Sequence, residues 1–456
     1  MANTAFDFLT ESFLFYDSYI DENFRTVPEE ELLAELQKYR EHIQKSFADI
    51  VHEVQNNNEL NVSIESAGEL PNEQLLKQLA LYLDKVVIAD PIFELTTIKS
   101  DMHVPMSKLM GINPNCEIDR SVLAYSAKYM KWSTPLVAAQ FVKYVPISLM
   151  HEPPKDIPIL YSRDNFSSEL SEELYSFFYG KAVVSNVIRE DGTMRYSEGK
   201  KLEPGTTIAI NFDREHIRKS RIYQFLQSKF KNLDEKTGKF KMMQYMPDKI
   251  SESDFQAWVH QSINRAAIGE FHTTLNEAIL AKKLKCMYMA KSQFTSELLS
   301  QTIAKKSVDA DLSNLSMNLE LPVTNGISIG DLISIRLDNG EAFHNFRREL
   351  SSKLSGLRGL TDQDDLQIAL ENISYEMNET QVSEVKKEYR KIARSLGVDV
   401  AMLTGSLVTS FFTGGLTLIG AAGAIAKGSA DYVKYLNDVK ENNGYFLWKL
   451  NRIMKQ

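Results

Sequence analysis

The sequence predicts a mainly α-helical protein of the α+β class, with a small central antiparallel β-sheet and long helices in its C-terminal half. Apolar residues recur at helical spacing over most of the 456 residues. One stretch, 181–212, instead shows strand-like runs around a turn signal at Asp191–Gly192. Because the chain is too long for one core, we expect a helical domain over 1–150, a mixed α+β domain over 151–315 and a helical domain over 316–456.

The composition is that of an ordinary globular protein, with 43% hydrophobic and 25% charged residues. A net charge of −9 argues against a nucleic-acid coat protein, whose surface would be basic. The two cysteines, Cys116 and Cys286, are too few for a disulfide framework and indicate a reducing compartment. The first residues contain acids and lack the basic start of a secretory signal, so we expect a cytoplasmic protein.

The first domain begins with helices. Thr26 and Glu29 have the spacing of a capping box, and apolar residues follow at helical spacing as far as Val54. The segment Glu73–Asp84 predicts a second helix by the same periodicity.

A short apolar run at 86–89 follows and is closed by Asp90–Pro91, since proline disfavours a helical residue before it. Another helix is predicted over 119–131. The prolines after it place the domain boundary near residue 150.

The middle domain supplies the predicted sheet, with strands over 181–190, 193–198 and 206–212. After these strands, apolar residues again recur at helical spacing. The predicted helices cover 217–231, 252–267 and 273–284, and a short buried strand is predicted over 285–290.

The C-terminal domain is predicted to be helical. Ser328 is placed as an N-cap, with Asp331 as the charge of the first turn. Long helices are predicted over 341–357 and 366–396.

Residues 400–426 contain no charged side chain, which raises two alternatives. The length would suffice to cross a bilayer. However, hydroxyl residues dilute the segment and Gly414–Gly415 divides it into pieces too short to span. We therefore favour an apolar helical hairpin buried against protein, and membrane contact remains the other alternative.

The acid of most chemical interest is Asp90, which ends the apolar run and is followed by Glu94 and Asp101. A carboxylate at the carboxyl end of a strand resembles the first metal ligand of PIN-type nucleases. The segment 275–294 resembles the helix-then-strand half of that family, yet Asn276 and Lys291–Ser292 stand near the places of its further acids. If such an enzyme were present, Asp90, Glu94 and Asp101 would be the catalytic candidates and a divalent cation the cofactor.

No other constellation indicates catalysis or a bound cofactor. The eight histidines form no HExxH and no close pair with cysteine, so no metal site is predicted. The sequence also lacks GxGxxG and a phosphate-binding GxxxxGK[ST] loop.

A basic stretch, Arg214–Lys241, carries nine basic residues with aromatic residues interleaved. When Asp213 just before it is included, four acidic residues stand against them and the balance is +5. Charge combined with stacking rings is typical of a single-strand nucleic-acid groove, for which Arg218, Lys219 and Arg221 are the candidates. We favour the alternative in which the charges coat a helix and the aromatic rings turn inward.

Several phrases resemble a loose group of uncharacterised bacterial proteins of similar length. They are LALYLDKVVIADPIF (79–93), NEAILAKKLKCMYMAKSQF (276–294), LPVTNGISIGDLISIRLDNGEAFHNFRREL (321–350) and NNGYFLWKL (442–450). The resemblance implies a prokaryotic, cytoplasmic origin and supplies no catalytic residue.

Three hypotheses follow. The favoured one is a non-catalytic prokaryotic interaction or regulatory protein, linked to stress or phage defence, that binds a protein partner or itself. The second is a metal-dependent PIN-like nuclease centred on Asp90. The third is a membrane-acting effector of bacterial defence that acts through 400–426.

Overall fold

The computed structural model describes most of the chain between residues 4 and 412, where helices and strands alternate. The described residues are 4–55, 61–66, 69–96, 118–150, 170–190, 193–197, 201–213, 220–231, 241–303, 314–319, 322–323, 328–338, 341–356, 363–395, 403–404 and 407–412.

The helices of this part of the chain range from 5 to 32 residues. They are α1 (Thr4–Glu11), α2 (Asp17–Asp21), α3 (Glu29–Lys45), α4 (Phe47–Val54), α5 (Glu73–Tyr82), α6 (Pro91–Leu95), α7 (Arg120–Ala138), α8 (Glu172–Lys181), α9 (Glu252–Lys283), α10 (Gln293–Ile303), α11 (Ile329–Asp338), α12 (Glu341–Gly356), α13 (Gln363–Met377) and α14 (Ser383–Ser395). Short 3-10 turns occupy Phe13–Phe15 and Ile147–Met150, and a π-helical segment, Asn378–Val382, joins α13 to α14.

The strands are mostly short. They are β1 (Asn61–Ile64), β2 (Lys85–Ala89), β3 (Val142–Val145), β4 (Val183–Glu190), β5 (Thr193–Tyr196), β6 (Thr207–Asn211), β7 (Arg221–Gln224), β8 (Gln227–Lys231), β9 (Lys241–Tyr245), β10 (Met287–Ala290), β11 (Asn314–Leu319), β12 (Pro322–Val323), β13 (Leu403–Thr404) and β14 (Leu407–Phe412).

A six-stranded sheet in the order β11-β14-β10-β1-β2-β3 forms the centre of the protein. Strands β10, β1, β2 and β3 are parallel, whereas β14 is antiparallel to both β10 and β11. Val62 lies opposite Val86 on one side and Met287 on the other. All four residues of β1 are buried, as expected for a parallel sheet covered on both faces.

The predicted fold class is therefore wrong, because the arrangement is mixed α/β with a parallel sheet rather than a single small antiparallel sheet. Two physical features explain why the sequence did not predict this sheet. Strand β1 has only four residues and is buried on both faces, so it shows no alternation. Its partner β10 is more than 200 residues away, and local sequence patterns carry no information on such a pairing.

The predicted antiparallel sheet exists as a second sheet, in the order β5-β4-β6-β7. Strands β4, β5 and β6 confirm the predictions over 181–190, 193–198 and 206–212. The turn signal Asp191–Gly192 lies outside the described residues.

The helix predicted over 217–231 is wrong, since the described part of that segment forms β7 and β8. The basic residues there fall at spacings that also fit a helix. The cross-strand partners Ile208 and Tyr223 show that pairing with β6 decides the conformation of β7.

The apolar helical hairpin predicted over 400–426 is also not what the structure shows for its described residues. Leu403–Thr404 and Leu407–Phe412 are strands, and Leu407–Phe412 lies inside the large sheet between β10 and β11. A strand with neighbours on both sides needs no charged residue, which accounts for the uncharged sequence there. Residues 413–426 lie outside the described part. Among the helices that the structure describes, none has the length and apolar character needed to cross a bilayer.

Most of the other predicted helices are confirmed. The helix that ends at Val54 is divided at Ser46 into α3 and α4, and α5 follows as predicted. The two helices predicted over 252–267 and 273–284 are one continuous helix, α9, of 32 residues. In α11, Ser328 Oγ accepts from the Asp331 N–H at 3.1 Å, which confirms the predicted N-cap.

The large sheet takes strands from all three predicted domains. Strand β1 belongs to 1–150, β10 to 151–315 and β14 to 316–456, and these three segments are linked through β10. The domain division itself remains a prediction.

We predict that Ile64→Ala, in the centre of the parallel sheet, lowers the free energy of unfolding by about 2–5 kcal/mol, because it leaves a cavity at a fully buried position. Ile222→Ala is the matched control, since Ile222 is 40% exposed, and it should change that free energy by less than about 1 kcal/mol. Urea unfolding measures both. Equal effects of the two substitutions would contradict the placement of β1 in the core.

Candidate functional site

Polar side chains gather where the parallel strands end. Glu65 and Ser66 follow β1, Asp90 follows β2, and Lys291 and Ser292 follow β10. Glu65, Ser66, Asp90 and Ser292 are all buried. Because open parallel sheets bind ligands outside the carboxyl ends of their strands, this edge is the first place to search for a functional site.

Asp90 is fully buried and caps the N-terminus of α6. Its Oδ1 accepts from the Phe93 N–H at 2.9 Å, and its Oδ2 accepts from the Tyr39 hydroxyl at 2.5 Å. Burial raises the pKa of Asp90 to about 6, although both hydrogen bonds act to lower it. Burial and the Asp90 carboxylate likewise raise the pKa of Tyr39 well above its usual range, so that Tyr39 remains a hydrogen-bond donor.

The other predicted acids are placed differently. Glu94 Oε1 accepts from the Ser148 N–H at 2.9 Å, which ties α6 to the 3-10 turn after β3. Burial is the main cause of the raised pKa of Glu94, with a smaller contribution from Asp90. Asp101 lies outside the described residues.

Glu65 directly follows β1, and the sequence analysis did not identify it as a candidate site residue. Its Oε2 accepts from the Lys291 N–H at 2.8 Å and its Oε1 from the Thr295 hydroxyl at 3.1 Å. Ser292 Oγ in turn donates to Thr295 Oγ1 at 3.0 Å. Glu65 thus joins the end of β1 to the turn between β10 and α10.

Glu277 is the second buried acid that the sequence analysis missed. Its Oε1 accepts from the Ser66 N–H at 3.0 Å and its Oε2 from the Tyr288 hydroxyl at 2.9 Å. Burial, together with the nearby carboxylate of Glu277, raises the pKa of Tyr288 well above its usual value, which keeps the hydroxyl protonated. Glu277 therefore connects α9 to both β1 and β10.

A basic side chain lies beside these acids. The Lys291 ammonium donates to the Glu69 carbonyl oxygen at 2.7 Å and lies 3.8 Å from Glu69 Oε2. The ammonium of Lys291 is therefore paired with Glu69, whereas its backbone N–H serves Glu65.

A signal for Glu277 existed in the sequence. Thr274, Ala278 and Ala281 are buried on α9, and Glu277 lies among them at helical spacing. The PIN-type comparison directed attention to Asn276, one residue away. Glu65 offered no such signal, because β1 itself was not predicted.

The nucleic-acid candidates lie on a strand rather than on a helix. Arg221 begins β7 and forms an ion pair with Glu270 of α9 at 2.9 Å, whereas Arg218 and Lys219 lie outside the described residues. The Arg265 guanidinium lies 5.9 Å from the centre of the Tyr223 ring. Within β7, the guanidinium of Arg221 and the ring of Tyr223 therefore both face α9.

Two further kinds of site were considered in the described residues, a metal site and a reactive thiol. Within the described ranges, no three His, Cys, Asp or Glu side chains converge as ligands for a metal ion. Cys286 is buried, and burial raises the pKa of its thiol to about 12, so the reactive thiolate is not populated at neutral pH.

Comparisons with known proteins add no assignment, since no protein-family model, no curated protein and no solved structure matches the chain.

We predict that Asp90 makes stability fall as the pH rises. Because its pKa is about 6 in the folded state and 3.8 ordinarily, the folded protein binds this proton more tightly than the unfolded chain does. Its contribution to the free energy of unfolding is fully present below pH 4 and is lost as the pH rises through 6, a change on the order of 3 kcal/mol.

Asp90→Asn removes this titration and keeps an oxygen acceptor for the Phe93 N–H. The free energy of unfolding of Asp90→Asn should therefore increase relative to that of the wild type between pH 4 and pH 8. Urea unfolding at several pH values measures this difference. A difference that stays constant over the range would show that Asp90 is not buried as described.

Proposed function

We propose that the chain is a non-catalytic interaction or regulatory protein of prokaryotic origin, which acts by binding a protein chain. One observation carries this proposal. Both oxygens of Glu65, Asp90 and Glu277 already accept hydrogen bonds from the protein. The acids at the carboxyl edge therefore serve the fold.

A hydrolytic metal centre requires carboxylates that are free to bind a cation. Several oxygens must point to one place and leave room for water on the cation. Here Glu65 is directed to the turn after β10, and Glu277 is directed to Ser66 and Tyr288. A divalent cation would have to displace these donors.

The PIN-like nuclease remains the second candidate because one observation favours it. Glu65 and Asp90 follow neighbouring parallel strands, and Glu277 reaches the same edge from α9. That edge is where such sheets bind ligands. The acid to test first would then be Glu65, which follows the first strand, rather than Asp90 alone.

A protein partner is favoured over nucleic acid by the placement of Arg221. Its guanidinium is engaged by Glu270 across the β7–α9 contact, and Tyr223 lies against Arg265 of the same helix. We also propose a cytoplasmic location, because the buried thiol of Cys286 needs no oxidising environment.

We predict that the purified chain shows no saturable binding of Mn²⁺ or Mg²⁺ by calorimetry. We also predict that it cleaves labelled single-stranded RNA or DNA no faster than the variant Glu65→Gln/Glu277→Gln does. The variant is the matched control, because it keeps the shape of both side chains and removes their charge. Stoichiometric Mn²⁺ binding, or cleavage that disappears in the variant while urea unfolding shows that the variant still folds, would establish the nuclease candidate in place of our proposal.

A further inference from the structure

Helix α13 has one face in the core and the opposite face in solvent. Ile373 and Met377 are buried, and Ala369 packs against the same core. On the other side, Ile368 is 57% exposed and Tyr375 is 70% exposed. These two residues are seven positions apart, so they lie about 20° apart around the helix, on the same exposed side.

The exposed side continues beyond α13. The π-helical segment Asn378–Val382 adds one residue to a turn, which brings Val385 of α14 onto the buried side with Val382. Ser383 and Lys387 are exposed on the same side as Tyr375. From Ile368 to Arg390 the chain thus presents one solvent-facing side along a helical stretch about 35 Å long.

The two halves of this long helix carry opposite charge. Residues 363–382 contain five acids and no Lys or Arg, a net charge of −5. Residues 383–395 contain five basic and two acidic residues, a net charge of +3. The exposed members include Glu371 and Glu379 in the acidic half and Lys387 and Arg390 in the basic half.

We infer that this side of the helix 363–395 is a self-association surface, and that its occupant is the same helix of a second copy in antiparallel orientation. A two-fold axis near the π-helical segment sets the acidic half of each copy against the basic half of the other. It also places Tyr375 close to Lys387 of the second copy, where the aliphatic stem can pack on the ring. A parallel pairing would oppose acid to acid, which charge repulsion disfavours.

This inference rests on the proposed function in naming the protein chain that is bound. The two can fail separately. A monomeric protein that binds no Mn²⁺ and cleaves no nucleic acid leaves the non-catalytic proposal intact and removes only the dimer.

The test measures the mass of the full-length chain by light scattering over a concentration series. We expect a dimer whose dissociation constant rises at least tenfold between 50 mM and 500 mM salt, because charges at a partly exposed interface are screened. The variant Ile368→Ser/Tyr375→Ser should be monomeric at every concentration. Leu337→Ser is the matched control, since Leu337 is 66% exposed on α11, and this variant should remain dimeric.

A charge exchange distinguishes the proposed orientation from a non-specific apolar contact. Lys387→Glu/Arg390→Glu should weaken the dimer at least tenfold, and adding Glu371→Lys/Glu379→Lys to the same chain should restore it. Urea unfolding checks that all of these exposed-site variants fold. A wild type that stays monomeric, a dimer that survives Ile368→Ser/Tyr375→Ser, or a charge exchange that fails to restore association would each overturn the inference.

Discussion

A carboxylate that is withdrawn from water must receive hydrogen bonds from the protein, and this requirement organises the carboxyl edge of the parallel sheet. Glu277 receives them from the Ser66 N–H and the Tyr288 hydroxyl, and Glu65 from the Lys291 N–H and Thr295. Each set of donors comes from more than one element. The acids therefore hold β1, β10, α9 and α10 in a fixed relation, and a shift of β1 against β10 would leave a buried charge without its donors.

Helix α9 extends this relation to the second sheet. Near its C-terminal end Glu277 joins the parallel sheet, and nearer its middle Glu270 and Arg265 contact Arg221 and Tyr223 of β7. One continuous helix of 32 residues thus contacts both sheets, where the sequence analysis expected two shorter helices. Within the basic stretch that suggested nucleic-acid binding, Arg221 and Tyr223 of β7 contact this helix.

The sequence revealed the elements whose information is local. Helix α5, the strands of the antiparallel sheet and the N-cap at Ser328 follow from periodicity, turn residues and capping. The parallel sheet did not follow, because β1 has four residues and its neighbours Val86 and Met287 come from distant parts of the chain. The prediction of the candidate site was limited for the same reason. Asp90 could be recognised beside a visible strand, but Glu65 could not be recognised without β1.

The central claim is that the buried acids at this edge serve the fold rather than a reaction, and a double-mutant cycle on Glu277 and Tyr288 tests it most directly. The variants Glu277→Gln, Tyr288→Phe and the combination of both are compared with the wild type by urea unfolding. Our account predicts that each single substitution lowers the free energy of unfolding and that the pair is coupled by about 1–3 kcal/mol. A variant Glu277→Gln that is more stable than the wild type would contradict the claim, since catalytic groups are commonly held at the expense of stability.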